Sequence, residues 1–174
     1  MTDPRYPVGK FTPPTEFTSE LRVGFIADIS AAPARLRDAV DGLTVEQRRT
    51  PYRDEGWTVA QVVHHLADSH MNAYMRMKLA VTETQPTIKP YDQKEWALLP
   101  DATDPDVEDS LRLLEALHAR WTTFASHLAP DEFERTMIHP ERGVITIDWS
   151  LALYAWHGRH HVAHIRSLRE RMGW

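Results

Sequence analysis

Apolar side chains fall into four long stretches of helical period, separated by breaks rich in proline and glycine. The first opens at Ser19 and carries Leu21, Phe25, Ile29, Leu36, Val40 and Leu43 at near-helical spacing. Pro33 is expected to kink or split it. Gly42 can close it, and Thr44 with Gln47 has the spacing of a capping box for a short turn. The second stretch opens with the same signature at Thr58 and Gln61 and runs without glycine or proline to about Glu83, where Pro86 is expected to stop it. Its apolar face reads Val59, Val62, Val63, Leu66, Tyr74 and Met77.

The third stretch has Asp104 as a cap and Pro105 as its first helical residue, and it runs to about Leu128. Val107, Leu111, Leu114, Leu117, Trp121 and Phe124 lie on one side. The fourth has Asp148 as its candidate N-cap, continues to about Met172, and ends on Gly173 at the C′ position. Residues 1–17, with Pro4, Pro7, Pro13 and Pro14, read as an extended arm. Residues 85–105, with prolines at 86, 90, 100 and 105, read as a loop long enough to suggest function. Two β-prone runs around Pro140 and Gly143, within 137–147, predict a small hairpin before the last helix. Four amphipathic helices without β/α alternation predict an all-α four-helix bundle, in one domain spanning 1–174.

Composition narrows the chemistry. The 174 residues are 42% hydrophobic and 26% charged, which is ordinary globular usage. A formal net charge of −5 and no basic block make a general nucleic-acid binder a poor expectation. There are no cysteines, so disulfides, thiolate metal sites and a cysteine nucleophile of the chain's own are excluded. The first ten residues lack the apolar core of a signal peptide, and no apolar run approaches the ~20 residues of a membrane helix. The expectation is a cytoplasmic protein with no membrane association.

Seven of the 10 histidines lie in two segments, Val63 to His70 and Trp156 to His164, and that clustering is the informative feature. Residues four apart on a helix project about 40° from one another, so His157 and His161 can aim at one point, and so can His160 and His164. Such a pair can share a metal, with a third imidazole from the other cluster. His157 and His161 share a stripe with Tyr154, Gly158, Ile165 and Leu168, and Gly158 allows close helix approach. His160 and His164 share theirs with Leu153, Trp156, Ala163 and Ser167. Spacing leaves both pairs open, and it leaves His64 and His65 open on the earlier helix. Three imidazoles with no carboxylate would hold Zn²⁺ in an open site; Ni²⁺ could use the same donors. The bland alternative is a set of hydrogen-bonded core histidines.

The run GWTVAQVVHHLADSHMNAYMRMKLAVTETQPTIKPYDQKEWALLPD from Gly56, with LLEALHARW, IHPE and YAWHGRHHVAHI, resembles the YfiT branch of the DinB superfamily over nearly the whole chain. The resemblance implies a DinB-like bundle, commonly a homodimer, with one divalent metal held by three histidines. Carried onto this sequence, these are His65 of the His-Leu-Ala-Asp run and the first and third histidines of WHGRHH, His157 and His161. Many DinB relatives have glutamine at the place of His164, which argues against it as a ligand.

For activity the resemblance implies a metal-dependent hydrolase acting on a small molecule. The runner-up is an S-transferase that conjugates a low-molecular-weight thiol such as bacillithiol, and a third reading is a non-catalytic bundle with a structural metal. Asp68, His160 and His164 are candidates for a general base, with Asp68 more readily read as orienting an imidazole. Arg76, Lys78, Lys89 and Arg159 could meet an anionic substrate, and Tyr91, Trp96 and Trp156 could line a pocket.

Overall fold

The computed structural model describes residues 3–174, so the first two residues of the expected arm lie outside the described residues. Four long helices dominate: α1 (Ser19–Val40), α3 (Val59–Thr82), α6 (Glu108–Ser126) and α7 (Ile147–Met172). The short α2 (Val45–Arg48) follows α1, and α4 (Gln93–Trp96) and α5 (Pro100–Thr103) lie between α3 and α6. α1 packs against α6 and α7, and so does α3, so the two helices that come first in the chain do not form the main contact with each other. Strands β1 (Thr136–His139) and β2 (Gly143–Thr146) pair antiparallel immediately before α7, with Thr136 opposite Thr146 and His139 opposite Gly143. No helix among the described residues is long and apolar enough to cross a membrane.

The predicted capping boxes form at both sites. Thr44 accepts from the Gln47 N–H and Thr58 from the Gln61 N–H, and each glutamine side chain accepts from its threonine's N–H in return. Gly173 ends α7 with φ +70°, the left-handed turn that a residue without Cβ takes freely.

Four local expectations change. Pro33 does not split α1, which is continuous through it. Having no N–H, Pro33 leaves the carbonyl of Ile29, four residues earlier, without its helical partner. His118 of α6 meets that carbonyl, its Nδ1 lying 2.6 Å away. Residues 85–105 are not one loop. Asp92 caps α4 by accepting from the N–H groups of Lys94 and Glu95, and Pro100 starts α5. The segment also pairs with β1 through Ile88 N–H to the Ile138 carbonyl, 3.0 Å.

α6 starts at Glu108 rather than Pro105, because two consecutive aspartate turns intervene. Asp104 accepts from the Asp106 N–H at 2.9 Å, and Asp106 from the Glu108 N–H at 3.0 Å. The N-cap of α7 is Thr146, which accepts from the Trp149 N–H, and not Asp148. Asp148 is instead buried in an ion pair with Arg22 of α1, 2.7 Å.

Two apolar clusters fill the bundle. One includes Leu36, Val63, Leu66, Leu114, Val162 and Ile165; the other includes Ile29, Met77, Trp121, Met137, Leu151 and Ala155. On every long helix the chain passes from one cluster to the other through a short middle section. On three of them, that section carries histidine: His70 on α3, with His65 about one turn before it, His118 on α6, and His157 and His161 on α7. The result is a layer of imidazoles between two hydrocarbon layers. Gly158 lets α7 approach α1 there, since a Cβ on it would lie 3.2 Å from the Cβ of Ala32.

Candidate metal centre

Helix α3 and helix α7 present three imidazoles to one point. His65, His157 and His161 each offer a ring nitrogen, all lying within 4.8 Å of one another. Nε2 of His157 is 3.3 Å from Nε2 of His65 and 3.1 Å from Nε2 of His161. Zinc–imidazole bonds of about 2.0–2.1 Å in a tetrahedral shell place neighbouring nitrogens about 3.3 Å apart, so these spacings suit three ligands of one cation. All three rings are at or below the edge of solvent access, and the donor set is all nitrogen, the type that zinc, nickel and copper accept.

The other histidines of the two clusters have different surroundings. His64, adjacent to His65, faces the other way: its Nδ1 is 2.8 Å from Ser110 Oγ and its Nε2 is 2.9 Å from the Asp104 carbonyl, so it pins the start of α6. His160 stacks on Trp156, ring centroids 4.3 Å apart, and its Nδ1 is buried with no hydrogen-bond partner among the described residues. His164 stacks on Tyr52 at 4.1 Å, with Nδ1 3.4 Å from His161 Nδ1 and Nε2 3.3 Å from the Arg5 carbonyl.

Two histidines not singled out by the sequence reading stand behind the triad. His70 Nε2 lies 3.1 Å from Nδ1 of His157, and His70 Nδ1 lies 2.8 Å from Nε2 of His118. The sequence signal was faint: a lone histidine in the third helix, and a proline four residues after Ile29.

Burial lowers the basicity of the whole layer. It pushes His65 and His118 down to about 4, and it holds His70, His157 and His161 well below the usual imidazole range, with neighbouring imidazoles adding to the effect. His160 and His164 are likewise pushed down to about 4 by burial. At neutral pH these rings are uncharged, the state a metal ligand requires.

A cleft of about 1230 Å³ opens on the triad, and His65, His157, His160, His161 and His164 all line it. Arg76, Tyr91 and Trp156 also line it, as their sequence reading anticipated; Lys78, Lys89 and Trp96 do not. Arg159 is turned away and paired with Asp28. Asp68 neither lines the cleft nor makes a side-chain hydrogen bond to any histidine, and burial and the nearby Asp101 raise its pKa. The imidazole orientation expected of Asp68 comes from His70 and His164. The N-terminal segment closes one side: Tyr6 lines the cleft and the Gly9 carbonyl accepts from Trp156 Nε1–H at 3.3 Å.

Comparison with known proteins places this geometry among relatives. The sequence profile of the DinB superfamily matches residues 28–165. A Bacillus mycoides protein is 51% identical over 174 residues, covering 100% of both chains, and an Oceanobacillus iheyensis protein is 52% identical over 170 residues, covering 98% of each. Both are named as candidate metal-dependent hydrolases, as is YfiT of Bacillus subtilis, 48% identical over 170 residues, 97% of this chain and 96% of YfiT. A solved structure of Bacillus subtilis YfiT matches with a TM-score of 0.96 at 46% identity, covering 99% of both chains, and is described as having an unusual four-helix bundle topology.

Proposed function

This chain belongs to the DinB superfamily, and on that premise we propose that it is a metal-dependent hydrolase of a small molecule, with His65, His157 and His161 holding one divalent cation, Zn²⁺ before Ni²⁺. The observation that carries this reading is the convergence of three uncharged imidazole nitrogens at the floor of an accessible cleft. A divalent ion supplies Lewis acidity at such a place, polarising an ester or amide carbonyl and acidifying water.

The chain's own residues do the rest. The aromatic wall of Tyr6, Trp57, Tyr91 and Trp156 takes the apolar body of the substrate. Arg76, Arg142 and Lys94 on the same cleft form no salt bridge among the described residues and can meet an anionic group, Arg76 while also donating to the Lys89 carbonyl at 2.7 Å. His160 is the proton carrier: it lines the cleft and is uncharged at neutral pH, so it takes the proton of the attacking water and returns it to the leaving group.

The test is metal content of the purified chain beside His65→Ala and His157→Ala, followed by chelator-sensitive turnover of an ester and amide panel. One equivalent of metal in the wild type, its loss in both variants and metal-dependent hydrolysis are expected. Stoichiometric metal in both variants would refute the ligand set. Hydrolysis gives way to thiol S-transfer if the metal-loaded protein leaves the panel untouched and instead conjugates a low-molecular-weight thiol to monochlorobimane.

A further inference from the structure

The geometry points to a proton-fixing relay that begins at Pro33 and ends at the bare Nε2 of His157: Ile29 carbonyl, His118, His70, His157, with His118 and His70 as positioning residues for the metal centre. The inference rests on the ligand role given to His157 above, and it concerns His118 and His70, which are outside the triad and do not line the cleft.

Each link forces the next. A carbonyl oxygen can only accept, so the nitrogen 2.6 Å from the Ile29 carbonyl, Nδ1 of His118, must carry the hydrogen. That carbonyl is available because Pro33 supplies no N–H to it. An uncharged imidazole has one N–H, so Nε2 of His118 is a lone pair. It faces Nδ1 of His70 at 2.8 Å, which must therefore be the donor. Nε2 of His70 is then a lone pair in turn, and at 3.1 Å it can only accept from Nδ1–H of His157. The remaining nitrogen of His157, Nε2, is left without hydrogen.

That nitrogen is the one that stands 3.3 Å from His65 and 3.1 Å from His161. Without the relay, His157 could place its hydrogen on either nitrogen, and half of the choices would block a cation. The rings are rigidly held for this purpose: His70 and His118 are 1% and 2% exposed and stack at 4.9 Å with 17° between their planes. Trp121 and Tyr154 pack edge-on against His70. A shorter path serves His161 in the same sense: the Arg5 carbonyl accepts from Nε2–H of His164, whose Nδ1 accepts from Nδ1–H of His161. Its 3.3 and 3.4 Å contacts are longer, so it fixes the proton less firmly.

The experiment uses the full chain stripped of metal, in two readouts. Nitrogen-15 NMR of the imidazoles should show His157 with hydrogen on Nδ1 and none on Nε2. In His118→Phe, which keeps a ring in the cavity and removes the acceptor, the His157 hydrogen should redistribute toward Nε2. Zn²⁺ affinity, measured by chelator competition, should fall about 10–100-fold in that variant. His118→Gln, which restores a donor and an acceptor, should recover most of it. Wild-type His157 protonated at Nε2 overturns the relay, as does a folded His118→Phe with wild-type Zn²⁺ affinity. The spectrum needs no metal and no turnover, so a wild type that binds no Zn²⁺ would sink the proposed function while the tautomer still judges the relay.

Discussion

The two sides of the imidazole layer are built from the same residue type and hold their rings to different degrees. On the core side, His70 and His118 are sealed between helices, each ring nitrogen of both has a partner, and the distances run from 2.6 to 3.1 Å. On the cleft side, His160 and His164 sit on aromatic faces, one nitrogen of His160 has no partner, and the contacts of His164 reach 3.3–3.4 Å. A histidine whose two nitrogens are both engaged holds a proton still. On the proposed function, a histidine that lines the cleft, as His160 does, is the one that moves a proton. The triad stands between them, with His157 in contact with the core side and all three rings lining the cleft.

The sharpest test is to remove one histidine from the triad and one from the cleft side. His157→Ala deletes a ligand and cuts the relay, and bound Zn²⁺ should become undetectable by metal analysis. His160→Ala should keep stoichiometric Zn²⁺ while turnover falls about 10²–10⁴-fold, the usual weight of a general acid–base group. Equal metal loss in the two variants would show that the cleft-side histidine is not separate from the ligand set.

Much of this layer was legible in the sequence, and the boundary of what was legible has a physical reason. The i,i+4 spacing of His157 and His161 and the capping box before His65 are local properties, and both appear as read. The choice between His157/His161 and His160/His164 was not legible from spacing and came only with the family resemblance, because α7 is covered on more than its core face. The proline-rich segment ahead of α1 lies along it, with the Phe11 ring edge-on to Trp149 and the Arg5 carbonyl beside His164, so both stripes are buried. Asp148 looked like a cap and is an ion-pair partner of Arg22, 126 residues away in sequence. His118 gave no signal of its own, because its meaning lies in a carbonyl that a proline frees on another helix.

A second comparison uses acid. In the unfolded chain an imidazole titrates near 6.5, whereas burial pushes His118 down to about 4. Between those values the unfolded chain binds the extra proton. The contribution of His118 to stability is therefore full above about pH 6.5, declines as pH falls toward 4, and levels off below it. His118 alone contributes on the order of 3 kcal/mol to that decline. Urea unfolding of the metal-free chain from about pH 7 to about pH 4 should show the loss, and His118→Phe should reduce its slope. A variant whose slope matches the wild type would mean that the core-side imidazole is not held uncharged by the fold.

The mildest test falls on the cleft side. Tyr52 stacks on His164 at 20° between planes, and its hydroxyl accepts from Arg53 Nε–H at 3.2 Å. The stack is what holds His164 in line with His161, since the hydrogen bonds at either end of His164 are long. Tyr52→Leu keeps an apolar group under the ring and removes the stack, costing about 0.5–1.5 kcal/mol of stability in thermal or urea unfolding. Zn²⁺ affinity should fall only about threefold or less, below the 10–100-fold effect set for the core-side relay. The ordering is the point: a long, weakly fixed path to His161 should matter less than a short, sealed one to His157. A loss of Zn²⁺ affinity in Tyr52→Leu as large as that in His118→Phe would invert it, and would make the aromatic wall, rather than the buried imidazole pair, the element that prepares the ligands.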